Sequence, residues 1–120
     1  MKYMLLIYSN PESWAGLSHD QRMGLGRGHG ALNDSLIASG HHVASAGLAD
    51  PINTKTVRIR DGVVATTDGP YIESKEHLAG FYVVECANMD EAVAICAQIP
   101  DAAYNFCEVR PLGEIPALSD

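Results

Sequence analysis

DGVVATTDGPYIESKEHLAGFYVVEC, residues 61–86, contains two β-patterns separated by a loop. Asp61-Gly62 followed by Val63, Val64, Ala65, Thr66 and Thr67 is the strongest short-range hairpin signal a sequence offers, because a two-residue turn needs the positive φ that these residues tolerate. The strand entering that turn is Thr54 to Arg60, where Thr56 and Arg58 alternate with Val57 and Ile59, the pattern of a strand with one wet face. Residues 68–80, DGPYIESKEHLAG, break the pattern, and Phe81 to Cys86 resumes it as a continuous apolar strand, FYVVEC.

Outward from this block, Lys2 to Tyr8 reads KYMLLIY, a buried strand stopped by the turn chemistry of Ser9, Asn10 and Pro11. A loop runs through Trp14 and Gly16. Ser18 and Gln21 have the spacing of a capping box, which predicts a helix from Ser18 to Ser39 closed by Gly40. Leu25, His29, Leu32 and Leu36 share one face of that helix. Gly24, Gly26, Gly28 and Gly30 oppose it, each costing about 1 kcal/mol relative to alanine. Gly26, Gly28 and Ala31 have a loose GxGxxA spacing, but a nucleotide loop must come straight off a strand, and here the first strand ended far upstream. The glycines therefore predict a helix that packs closely on a neighbour, or one that is interrupted. A short strand is expected at His42–Ala46, a second helix at Met89–Gln98 with Asn88 as cap and Pro100 as stop, and a last strand at Asn105–Arg110.

Strand, helix, strand, hairpin, strand, helix, strand is a split βαβ arrangement with an inserted β-hairpin, so the expected fold class is α+β with a ferredoxin-like core. Two helices cover one face of such a sheet. The other face is left apolar and bare, which predicts a homodimer with the two sheets facing each other.

The 120 residues, 47% hydrophobic and 19% charged, suit one soluble globular domain spanning 1–120. Folding removes about 65% of the unfolded surface at this size, enough for one core. No leader precedes the first strand and no apolar run approaches the ~20 residues that cross a bilayer, so a cytoplasmic location and no membrane partner are expected. The net charge is -7, divided as +2 over residues 1–60 and -9 over residues 61–120. Scattered cations on an acidic chain argue against direct nucleic-acid binding. Cys86, Cys96 and Cys107 form no CxxC pair and read as buried thiols. His41 and His42 are adjacent and point to opposite faces of a strand, and no HExxH or HxH is present, so no metal and no cofactor is expected.

The opening KYMLLIY, the DGPYIESKEHLAGFYVVE block and the closing EVRPL resemble the YCII-related, DGPF-motif family over nearly the whole chain. Asp68, Gly69, Pro70, an aromatic at 71, Lys75, Glu76, Gly80 and Phe81 fall in that family's order. The resemblance implies a ferredoxin-like fold dimerising face to face as a dimeric α+β barrel. It also implies a largely uncharacterised function: some relatives are thought to be small enzymes using a histidine and aspartate pair, and others are associated with sigma-factor systems or named for transcription initiation. Tyr71 replaces the usual phenylalanine and adds a hydroxyl. His29 is similar to the helix histidine of the catalytic-type relatives, although GRGHGAL departs from their motif.

From the residues themselves, Asp68 ends a strand where Gly69-Pro70 turns the chain, so its carboxylate either accepts backbone N–H groups of the loop or faces a cleft. In the second reading Asp68 is a general base or acceptor, Lys75 an anion-binding cation and Tyr71 a stacking or donor group. His29 is either a satisfied core histidine or a proton shuttle, and His29 with Asp68 would make an acid-base pair if folding brings them together. Ser45 lies in ASAG rather than GxSxG, so no nucleophile elbow is present. The expectation is a small organic ligand beside the DGPY loop, with any chemistry a cofactor-independent hydrolysis or isomerisation; the rival is a non-catalytic sensor or transcription accessory working through protein contacts.

Overall fold

The computed structural model describes residues 1–69 and 76–113. In chain order the elements are β1 (Lys2–Ser9), α1 (Pro11–Ala15), α2 (His19–Ser39), β2 (His42–Gly47), β3 (Lys55–Arg60), β4 (Val63–Asp68), β5 (His77–Glu85), α3 (Met89–Cys96) and β6 (Phe106–Pro111). Short 3-10 turns at Pro51–Asn53 and Pro100–Ala103 join them.

The main sheet has the order β2-β5-β1-β6, with every neighbouring pair antiparallel. With α2 and α3 as the crossovers, this is the ferredoxin-like α+β fold. Alternation along β1 separates the faces: Tyr3, Leu5 and Ile7 are buried, while Met4, Leu6 and Tyr8 are half-buried on the opposite side. The buried set joins Tyr82 and Val84 of β5, Leu32 and Leu36 of α2, and Ala92, Ile95 and Cys96 of α3 in one core. On the other face Tyr8 stacks on Phe106 at 5.0 Å between ring centroids.

α2 begins as its sequence dictates. The Ser18 hydroxyl accepts from Gln21 N–H and the Gln21 side chain accepts from Ser18 N–H, so both halves of the capping box are made. Gly40 ends the helix in the left-handed region at φ 79°. Where a loop was expected through Trp14, the chain forms α1 instead: Asn10 caps Ser13 N–H and Pro11 takes the first helical position, where its missing N–H costs nothing. β5 starts at His77, four residues before the expected Phe81, and α3 ends at Cys96 rather than Gln98.

β3 and β4 form a separate two-stranded ribbon, with Arg60 opposite Val63 at its tip. Asp61 and Gly62 carry positive φ of 50° and 78°, the turn that DG predicts. Apart from half-buried Thr56, every residue of the two strands is exposed, including Val57, Ile59, Val63 and Val64.

Candidate functional site

His29 sits midway along the face of α2 that looks toward the sheet, between buried Leu25 and Leu32. The residue before it sets how near the helix can come to the rest of the chain. A Cβ added at Gly28 would lie 2.5 Å from Cγ of Pro100, so α2 packs against the Pro100–Ala103 turn only because residue 28 has no side chain. That close approach brings Asp101, on the turn, to His29.

Both ring nitrogens are engaged. Nδ1 lies 2.7 Å from the Tyr82 hydroxyl of β5, and Nε2 is hydrogen-bonded to a carboxylate oxygen of Asp101. A carboxylate only accepts, so the ring hydrogen of neutral His29 belongs on Nε2, and Nδ1 then accepts from the Tyr82 O–H. Burial, and after it the negative charge of Asp101, raise the Tyr82 pKa above the ordinary tyrosine value, which keeps the phenol protonated and donating. The result is a directed chain from Tyr82 through His29 to Asp101, with His29 and Asp101 both partly open to solvent.

The triad borders a cavity of about 350 Å³ beside β2, the edge strand of the sheet. Asn33 of α2 and Ser45 of β2 line its far side. The Ser45 hydroxyl donates to Asn33 Oδ1 at 3.1 Å and lies 2.9 Å from Nε2 of His42. Gly80 lets β2 and β5 meet here, since a Cβ at that position would stand 2.8 Å from the Ala46 carbonyl oxygen.

The sequence paired His29 with Asp68; the structure gives His29 the carboxylate of Asp101 instead. Asp68 is at the end of β4, exposed, and ion-paired with Lys55 directly across the ribbon. Tyr71 and Lys75 lie outside the described residues. Nothing in the spacing of IPDAAY marks Asp101, because its role comes from a contact 72 residues away in the chain; the signal that pointed toward it was the glycine beside the histidine. Glu76, part of the DGPY block, ties two segments together by accepting from Asn10 Nδ2 at 3.0 Å and Asn105 Nδ2 at 2.8 Å.

Burial pushes the Cys86 thiol pKa up, and Cys96 and Cys107 hydrogen-bond to each other, which raises the Cys107 pKa and lowers that of Cys96. Among the described residues no three histidine, cysteine, aspartate or glutamate side chains come together in a way that could hold a metal ion. Among them, too, no helix is long and apolar enough to cross a membrane.

Fold and site together define a class: a ferredoxin-like α+β protein with a helix histidine held between a phenol of the sheet and a carboxylate of a turn. The chain matches the YCII-related domain over residues 1–116, and it belongs to that family. It is also 30% identical over 124 residues to a curated protein of Rhizobium meliloti (strain 1021), an alignment that takes in 98% of this chain and 100% of the relative, which is described as an uncharacterised protein.

Proposed function

We propose that this protein is a cofactor-independent acid-base catalyst acting on a small organic molecule in the cavity beside His29. The observation that carries the reading is the Tyr82–His29–Asp101 chain, because it fixes the imidazole tautomer and leaves a proton path that ends on the cavity wall. A substrate C–H or O–H beside Tyr82 loses its proton to the phenol oxygen as Tyr82 passes its own proton to Nδ1. The imidazolium that forms is stabilised by the Asp101 carboxylate. Return of the proton to a different atom of the same molecule completes an isomerisation with no net change in atoms or electrons. Asn33 and Ser45 supply the polar groups that orient the substrate across from the triad.

In this reading the working form is a homodimer. The sheet face bearing Met4, Leu6, Tyr8 and Phe81 carries no helix among the described residues, and a second copy laid on it would make a closed, dimeric α+β barrel. Sedimentation at micromolar protein should give the mass of two chains.

The test of the chemistry is solvent deuterium incorporation into a panel of enolisable lactones and β-keto esters, followed by NMR. The native protein should accelerate exchange into at least one of them, and His29→Asn and Asp101→Asn should each reduce that acceleration by about 10²–10⁴-fold. Exchange that no panel member shows above buffer, or that survives both substitutions, would leave the family's non-catalytic reading as the better one.

A further inference from the structure

The cavity beside His29 does not stop at the triad. A second cavity of about 560 Å³ continues from it along the sheet, and Ala79 is a wall of both. The chain is built for that continuity. β5 is out of step with β1 at this point, Gly80 facing Ile7 and Leu78 facing Tyr8, so Ala79 is the extra residue of a β-bulge. On the other flank Gly47 lines the first cavity and the next residue, Leu48, lines the second, with Leu48 N–H donating to the Ala79 carbonyl at 2.8 Å. The two spaces thus share one unbroken floor of β2 and β5 backbone.

Both walls mix polar and apolar groups, but with different chemistry: the first holds the hydrogen-bonded triad with Asn33 and Ser45, whereas the second brings together Trp14, Pro11, Leu48, Pro51 and Leu78 beside Asp50 and His77. Trp14 is held in place there, since the Arg22 guanidinium lies over its ring at 4.9 Å and donates to its carbonyl oxygen at 2.9 Å. Charge narrows the ligand further. Among the described residues neither cavity is lined by lysine or arginine, while Asp101 lines one and Asp50 the other, and Asp50 already accepts from Ile52 N–H at 3.0 Å. Among the described residues the lining charges are these two carboxylates, with His29, Tyr82 and His77 the other titratable groups, so an anionic ligand is disfavoured along this path.

We infer that the two cavities are one elongated binding site, which takes an uncharged molecule with its reactive polar end at His29 and an apolar, planar tail against Trp14, Leu48 and Leu78. This rests on the acid-base reading for the polar end only; the tail subsite stands on its own lining.

Phenol and 4-phenylphenol, both uncharged at neutral pH, differ by the ring that the second cavity would take. Titrations followed by NMR read both ends at once, because Trp14 is the single tryptophan of the chain and gives one indole N–H signal, while His29 reports through its imidazole. With the native protein, 4-phenylphenol should bind at least about tenfold more tightly than phenol, the gain expected for burying one more ring, and should move both signals with a common saturation point. Leu48→Asp, at a half-exposed position that the fold tolerates, should bring the ratio near one, and Trp14→Ala, read through His29, should lower it severalfold. His29→Asn should leave the ratio unchanged as read by Trp14. Equal affinities of the two probes for the native protein, a ratio that survives both tail substitutions, or movement of the Trp14 signal without that of His29 would each overturn the inference. Absence of deuterium exchange with the native protein, the ratio being intact, would instead overturn the acid-base reading alone.

Discussion

β5 and β4 both carry a Val-Val pair in a strand-forming run, FYVVE and VVATT, yet their fates are opposite. Val84 of β5 is 0% exposed, whereas Val64 of β4 is 61% exposed. Both strands are paired antiparallel, β5 on two sides and β4 on one, but a neighbour within the sheet does not by itself bury side chains that point off its face. The difference is what lies above: α2 and α3 close over the β5 face, and among the described residues no element closes over the ribbon. β-propensity says that a segment extends; only the crossover helices decide whether extension ends in burial.

The sharpest way to test that contrast is to cut the same chemistry from both places. Leu5, 0% exposed at the centre of the main sheet, should cost about 2–5 kcal/mol when replaced by alanine, measured by urea unfolding. A loss under 1 kcal/mol would mean that the core between sheet and helices is not where the stability resides. Next in size, Gly28→Ala forces the helix away from Pro100, and the expected loss is about 1–3 kcal/mol together with loss of the His29–Asp101 hydrogen bond, visible in the His29 imidazole NMR signals. Its counterpart Gly26→Ala, where a Cβ meets nothing within 4 Å, should stabilise by up to about 1 kcal/mol. If the two glycines respond alike, close packing of α2 on the turn is not what holds Asp101 in place. The smallest effect should come from Val64→Ala, within about 0.5 kcal/mol if the ribbon stands in solvent. A loss above 2 kcal/mol that depends on protein concentration would show a second copy lying on the ribbon, and the contrast with β5 would then belong to the single chain alone.

Much of this architecture was legible because its signals are local. The capping box at Ser18, the αL glycine at 40, the DG turn and the alternation of β1 each need only a few neighbouring residues to act, and each appears in the structure as read. The short α1 was misread because Asn10-Pro11 serves equally as a turn and as a cap with proline in first place. The site was half legible. His29 stood out as a polar residue on an apolar stripe, and Gly28 announced a close approach without saying to what. Asp101 could not be read, since its meeting with His29 depends on where the last crossover returns, and the more conspicuous carboxylate, Asp68, is paired with Lys55 on the ribbon. Motif residues are easiest to notice where they repeat across relatives; functional contacts are made where the chain comes back on itself.

That return carries a consequence in time. His29 and Asp101 are separated by 72 residues, and the turn that bears Asp101 lies between α3 and the final strand, β6. During synthesis the chain emerges from its N-terminus, so α2 exists with its histidine long before the partner carboxylate has been made. A growing chain halted after β4 but before residue 101 holds β1, the helix and the ribbon but lacks the Tyr82–His29–Asp101 chain of hydrogen bonds. The Tyr82–His29–Asp101 hydrogen-bonded chain is therefore among the last features this polypeptide acquires, and an incomplete product carries the histidine without its carboxylate partner.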